Sequence, residues 1–151
     1  MRKINTVRFG EIEEEEGKIV HFEQGLPAFE EEKEFIIIPY DAESPYVFLQ
    51  SAKTPDLAFL MTIPFMFFSD YEFSIDDSVI ECLAIDKQEE LLIYTLLTLP
   101  NRDIRQMTAN LLAPVVINTK NMQAKQVILE KSAYMTKHKL FPQADANKGD
   151  K

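Results

Sequence analysis

The sequence predicts an all-β, mainly antiparallel fold: one compact β-barrel-like domain over residues 1–141 with one or two short helices, then a mobile tail at 142–151. Short apolar runs rich in Ile, Val, Phe, Tyr and Thr recur along the chain, separated by Pro, Gly, Asn, Asp or Glu, which is the punctuation of strands and turns. Two runs, Phe35-Ile36-Ile37-Ile38 and the stretch from Leu91 to Leu99, do not alternate, so both of their faces must be covered. Nine such strands in 151 residues cannot hide their edges in a flat sheet. Closure into a barrel is the economical solution.

The predicted strands are residues 4–9, 19–22, 35–39, 47–51, 58–63, 71–75, 91–99, 112–119 and 126–129. Pro27, Pro45, Pro55, Pro64, Pro100 and Pro142 fall between or at the ends of these runs, where a missing N–H does least harm to a ladder. Gly10, Gly17 and Gly25 suit the turns. Helix is expected over 76–83, where Asp76 and Asp77 favour the positive end of the helix dipole and Val79, Ile80 and Leu83 share a face. Asp86-Lys87-Gln88-Glu89 resembles a capping box and predicts one further turn. The tail beyond Pro142 has no large apolar residue to anchor it.

Charge narrows the function. The net charge is −9 and is unevenly spread: ten acidic and five basic side chains give −5 over residues 1–34, and twelve against four give −8 over 35–119. Residues 120–151, with three acidic and seven basic side chains, carry +4. Counterion release cannot drive phosphate binding on so acidic a surface, so no direct nucleic-acid role is expected. The same field attracts a basic partner and repels RNA. An acidic shell without heptads predicts a monomer. The opening residues lack the apolar stretch of a secretory signal, and no apolar run approaches the roughly 20 residues of a membrane helix. The lone Cys82 can form no intrachain disulfide. A cytoplasmic location without membrane attachment is expected.

No catalytic or metal motif is legible. His21 and His138 are far apart and without a neighbouring ligand cluster, and the four glycines build no phosphate-binding loop. A nucleophile elbow is missing. Cys82 lies near Glu81 and Asp86, whose charges disfavour a thiolate nucleophile, and reads as a small buried hydrophobe. The acidic runs Glu13-Glu14-Glu15-Glu16 and Glu30-Glu31-Glu32 read as solvated loops and lack the spacing of a calcium loop. The expectation is a protein without enzymatic activity, metal or cofactor. The alternative is a small-molecule binder or enzyme using the barrel mouth.

Two segments exceed what a plain core needs. Pro64-Phe65-Met66-Phe67-Phe68-Ser69-Asp70-Tyr71-Glu72-Phe73 combines five aromatic rings and a methionine with two carboxylates. That is the composition of an interface core with a charged rim, or of a strand and turn plugging one end of a barrel. Met107-Thr108-Ala109-Asn110-Leu111-Leu112-Ala113-Pro114-Val115-Val116-Ile117-Asn118-Thr119-Lys120 punctuates an apolar stretch with amides, which serve turn backbones or a partner's backbone.

These two blocks and four others resemble the FliW family of bacterial flagellar assembly factors. The others are Ile4-Asn-Thr-Val-Arg-Phe-Gly-Glu-Ile, Phe22-Glu-Gln-Gly-Leu-Pro-Ala-Phe-Glu, Ser44-Pro-Tyr-Val-Phe-Leu-Gln-Ser and Pro55-Asp-Leu-Ala-Phe. The six run in the family's order over about residues 3–140. Ala28 departs from the family's usual Gly-Leu-Pro-Gly-Phe-Glu turn. The resemblance implies a non-enzymatic β-barrel-like protein of the cytoplasm that binds flagellin and the translational regulator CsrA. It also implies relief of CsrA's block on flagellin translation, by an allosteric route. Candidate partner-binding residues carried over on this basis are Phe67, Phe68, Asp70, Tyr71 and Glu72, with Asn110, Asn118 and Lys120 as second choices.

Overall fold

A computed structural model describes residues 1–130 and 132–142. The predicted mobile tail, apart from Pro142, lies outside the described residues. The chain folds as β1 (Arg2–Thr6), β2 (Gly10–Glu14), β3 (Val20–His21), β4 (Glu34–Pro39), β5 (Tyr46–Ser51) and β6 (Ala58–Thr62). Helix α1 (Asp77–Cys82) follows, and then β7 (Leu91–Thr98), β8 (Thr108–Ala109), β9 (Val115–Asn118), β10 (Gln123–Gln126) and β11 (His138–Lys139).

Pairing runs β7-β6-β5-β4-β3-β10-β9, and β9 returns to β7, so the sheet closes on itself. All these pairs are antiparallel except β3 with β10. β7 is the seam: β9 pairs with it from Leu91 to Tyr94, and β8 takes up the same strand at Leu97 and Thr98. Between β8 and β9 the stretch 110–114 forms no strand, although Asn110 N–H still donates to Leu96 O at 2.9 Å. Inside the ring, Val20, Phe22, Phe35, Leu49, Met61, Tyr94, Val115, Ile117 and Ala124 form one buried cluster drawn largely from all seven strands. The all-β, barrel-like expectation is met.

The unbroken apolar runs have a simple explanation. Phe35 points into the barrel, while its neighbour Ile36 packs outside with Ile4 and Ile19 beneath the β1–β2 hairpin. Val115 and Ile117 point inward, and Val116 between them joins a second outer cluster beneath α1 and the segment 71–75. Each strand is buried on both faces because something covers the barrel there. Arg2 helps hold the hairpin down, reaching Glu16 at 2.8 Å and Glu34 at 2.8 Å. Its guanidinium keeps both carboxyls below their usual range.

Several elements differ from expectation. Residues 71–75 are not a strand, although Tyr71, Phe73 and Ile75 alternate inward with Glu72 and Ser74 outward. The segment is extended but finds no ladder. The Tyr134 hydroxyl instead accepts from Glu72 N–H at 3.1 Å and donates to Glu72 O at 3.1 Å. Glu13 and Glu14, read from the sequence as part of a solvated acidic loop, lie instead in β2, whose one apolar side chain is Ile12. Pairing of Ile12 with Ile4, and of Glu13 and Glu14 with Lys3 and Arg2, makes it a strand. The predicted strand 126–129 shares only Gln126 with the observed β10 at 123–126, and 112–119 pairs as a strand only over β9. The helix is placed as expected, and the capping-box turn appears as a single 3-10 turn at Gln88–Glu90.

Gly25 is required by its surroundings. Its φ is +68°, and a Cβ there would lie 2.5 Å from the Glu30 carbonyl oxygen. The tight turn beside it is Leu26-Pro27-Ala28-Phe29, closed by Phe29 N–H to Leu26 O at 2.7 Å and Leu26 N–H to Phe29 O at 3.3 Å. Ala28 sits there at φ 70°, a left-handed conformation that glycine adopts without strain. Ala28→Gly is expected to stabilise the protein by about 0.5–1 kcal/mol, the strain relieved less the added chain entropy. Thermal melting should rise by about 2 °C. A fall in melting temperature would show that the turn carries no strain.

Candidate functional site

The block 64–73 wraps one corner of the barrel. It opens with a 3-10 turn, Pro64–Met66, started by proline at the first position. A second bond of this turn, Phe68 N–H to Pro64 O at 2.8 Å, and then Tyr71 N–H to Phe68 O at 2.9 Å, fold the chain back on itself. Tyr71 is the anchor. It is buried, and its hydroxyl donates to Leu111 O at 2.7 Å. Its ring packs edge-on to Tyr134 with centroids 4.7 Å apart and tilts against Phe73 at 5.4 Å and Phe65 at 5.8 Å. Burial pushes its phenol pKa well up, so the hydroxyl stays a donor.

The sequence expects Phe67, Phe68, Asp70, Tyr71 and Glu72 together on a docking surface. The structure divides them. Asp70 and Glu72 are exposed. Phe67 is half-buried, stacked on Tyr46 at 6.1 Å and edge-on to Phe141 at 5.9 Å. Phe68 is half-buried beside the His138 imidazole at 6.1 Å. Tyr71 is core, and the expectation that it is exposed is corrected. The solvent-facing apolar members are Phe65 at 44 % and Met66 at 62 % exposure, which the candidate residues omit. The 3-10 turn carries them outward because its proline and the ring of Phe67 turn inward. A Pro-Phe-Met start at a strand exit is the signal that could have found them.

The amide residues serve the frame. Asn118 is 1 % exposed, donating Nδ2–H to Leu83 O at 2.9 Å and Ala84 O at 3.2 Å and accepting from Lys120 N–H at 3.1 Å. It ties the end of α1 to the end of β9 and offers no surface to a partner. Asn110 is half-buried just after β8. Its Oδ1 accepts from Ala113 N–H at 3.1 Å, and its backbone oxygen accepts from the Thr95 hydroxyl at 2.8 Å. Lys120 is exposed and pairs with Asp86 at 2.8 Å. Solvent screens such a pair, which contributes little to stability.

His138 was expected at a solvated end. It is half-buried instead, its Nε2 accepting from Met135 N–H at 2.8 Å, and desolvation lowers its pKa. Cys82 is half-buried in the outer cluster, as a small hydrophobe. Among the described residues no three His, Cys, Asp or Glu side chains converge as a metal set. No helix there is long and apolar enough to cross a membrane.

A closed β-barrel with a braced aromatic corner, edged by carboxylates, defines a small barrel module that presents a surface. The sequence pattern of the FliW family matches residues 3–140. The flagellar assembly factor FliW of Bacillus subtilis (strain 168) is 46% identical over 135 residues, covering 89% of this chain and 94% of that protein. The flagellar assembly factor FliW of Geobacillus kaustophilus (strain HTA426) is 44% identical over 141 residues, covering 93% and 96%. A crystal structure of the flagellar assembly factor FliW superposes with a TM-score of 0.87 at 44% identity, covering 93% of this chain and 98% of that one. The chain belongs to the FliW family of flagellar assembly factors.

Proposed function

We propose that this protein acts in the cytoplasm as a flagellar assembly factor that binds CsrA and flagellin. It lifts CsrA's repression of flagellin translation and couples synthesis to export. One observation carries the reading beyond family membership: Phe65 and Met66 stand exposed next to Asp70 and Glu72 on a segment rigidly braced by Tyr71 and Tyr134. An apolar centre with an acidic rim, held in place before binding, loses little entropy on docking and selects a basic partner. The net charge of −9 adds a field that repels RNA from a CsrA molecule held close by. CsrA is inhibited allosterically in this reading, with its RNA face left uncovered.

Charge reversal tests it. Asp70→Lys with Glu72→Lys is expected to weaken CsrA binding at least about tenfold in titration calorimetry, while the melting temperature holds. Both side chains are exposed, so neither change disturbs packing. Normal binding by the double variant, or its unfolding, would remove this corner from the interface.

A further inference from the structure

The outer edge of β10 is open beyond Gln123. On that side β3 pairs with β10 at His21 and Gln123. No other strand among the described residues continues that edge along Ala124, Lys125 or Gln126. The chain stays extended past the strand: Val127 N–H donates to Pro114 O at 2.8 Å and Leu129 N–H to Leu112 O at 2.8 Å, both toward the β9 side. Peptide groups alternate along a strand, so the backbone N–H and C=O of Gln126 and Ile128 face the opposite way. Side chains alternate too: Val127 and Leu129 are buried, and Ile128 is 55 % exposed.

A groove of about 640 Å³ borders this edge, between residues 125–130 and the segment 72–79. Among the described residues its lining includes the carboxylates of Glu72, Asp76 and Glu130 and the ammonium of Lys125, with Phe73 and Ile128 among its apolar side chains. An open strand edge, apolar side chains and three carboxylates meet in one place.

We propose that this groove receives an extended segment of a partner protein, alternately basic and apolar, which adds to the sheet as a strand at Gln126 and Ile128. Backbone pairing supplies the attachment, Ile128 takes the partner's apolar side chains on one face, and the carboxylates select Lys or Arg on the other. The inference goes beyond the reading above and does not depend on CsrA or flagellin being the partner.

The test uses short synthetic peptides, fluorescence anisotropy for binding and NMR amide exchange for the mode. An alternating Lys-Val peptide is expected to bind at low salt and to slow exchange of the Gln126 and Ile128 amides at least about tenfold. A Glu-Val peptide should not bind, and an N-methylated Lys-Val peptide of the same charge should give no protection. Asp76→Asn with Glu130→Gln should weaken binding by about tenfold; Asn at 76 remains a good helix-capping residue, which preserves α1. Absence of Lys-Val binding, or equal binding and protection with the N-methylated peptide, overturns the proposal. Protection of the two amides that grows with protein concentration alone also overturns it, in favour of pairing between two copies. None of these outcomes bears on the CsrA and flagellin reading, which is tested without the peptides.

Discussion

Tyr71→Ala is expected to lower the unfolding free energy by about 4 kcal/mol. Truncating a buried aromatic ring costs about 3–5 kcal/mol through lost burial and the cavity left behind. Here the ring touches Phe65, Phe73 and Tyr134, and its hydroxyl satisfies Leu111 O at 2.7 Å. Tyr71→Phe separates the two contributions. It keeps the packing and orphans the carbonyl, for about 1–2 kcal/mol. Urea unfolding measures both, and the alanine variant's melting temperature should drop by on the order of 10 °C. A loss under about 1 kcal/mol for Tyr71→Ala would mean that the corner is held elsewhere. Partner binding should survive Tyr71→Phe and fail in Tyr71→Ala, because Asp70 and Glu72 lose their brace rather than their charge.

Asn118→Leu is expected to cost about 3 kcal/mol. Leucine fills nearly the same volume, so the cost comes from polar groups left without a partner in the interior. Ala84 O and Lys120 N–H lose the contacts at 3.2 Å and 3.1 Å. Leu83 O retains a bond from Asn121 Nδ2 at 3.0 Å, which limits the damage. The end of α1 should loosen from β9, seen as faster amide exchange at Leu83 and Ile85, whose N–H groups bond to Val79 O and Ile80 O. A variant of normal stability that has lost only its partner would return Asn118 to the interface.

Both predictions rest on residues for which the sequence left two roles open, packing within the fold and contact with a partner. Tyr71 lies in a run of exposed-looking aromatics and carboxylates, and Asn118 in an apolar stretch that an amide interrupts. Composition marks such residues as unusual, but it gives no direction to a side chain. The same holds for residues 71–75, whose alternation is that of a strand. Alternation reports which side chains are buried, not whether a neighbouring edge is free to pair. β2 shows the converse, since a strand with one apolar side chain leaves almost no periodic signal.

By itself the sequence determined the class of fold, the turns around Gly10 and Gly25, the short helix, the acidic field and, through six ordered blocks, the family. These depend on local periodicity, on the φ angles that glycine and proline permit, and on total charge, all of which are written along the chain. Tertiary structure decided what depends on contacts across it. It closed the ring at β7 and left the edge of β10 open. It put Phe65 and Met66 outside while Tyr71 went in, and it spent Asn118 on the end of a helix 35 positions away. The barrel module expected at the outset is the one observed. Its working surface is the part left over once each buried polar group has found its partner, and that pairing is settled only by the folded chain.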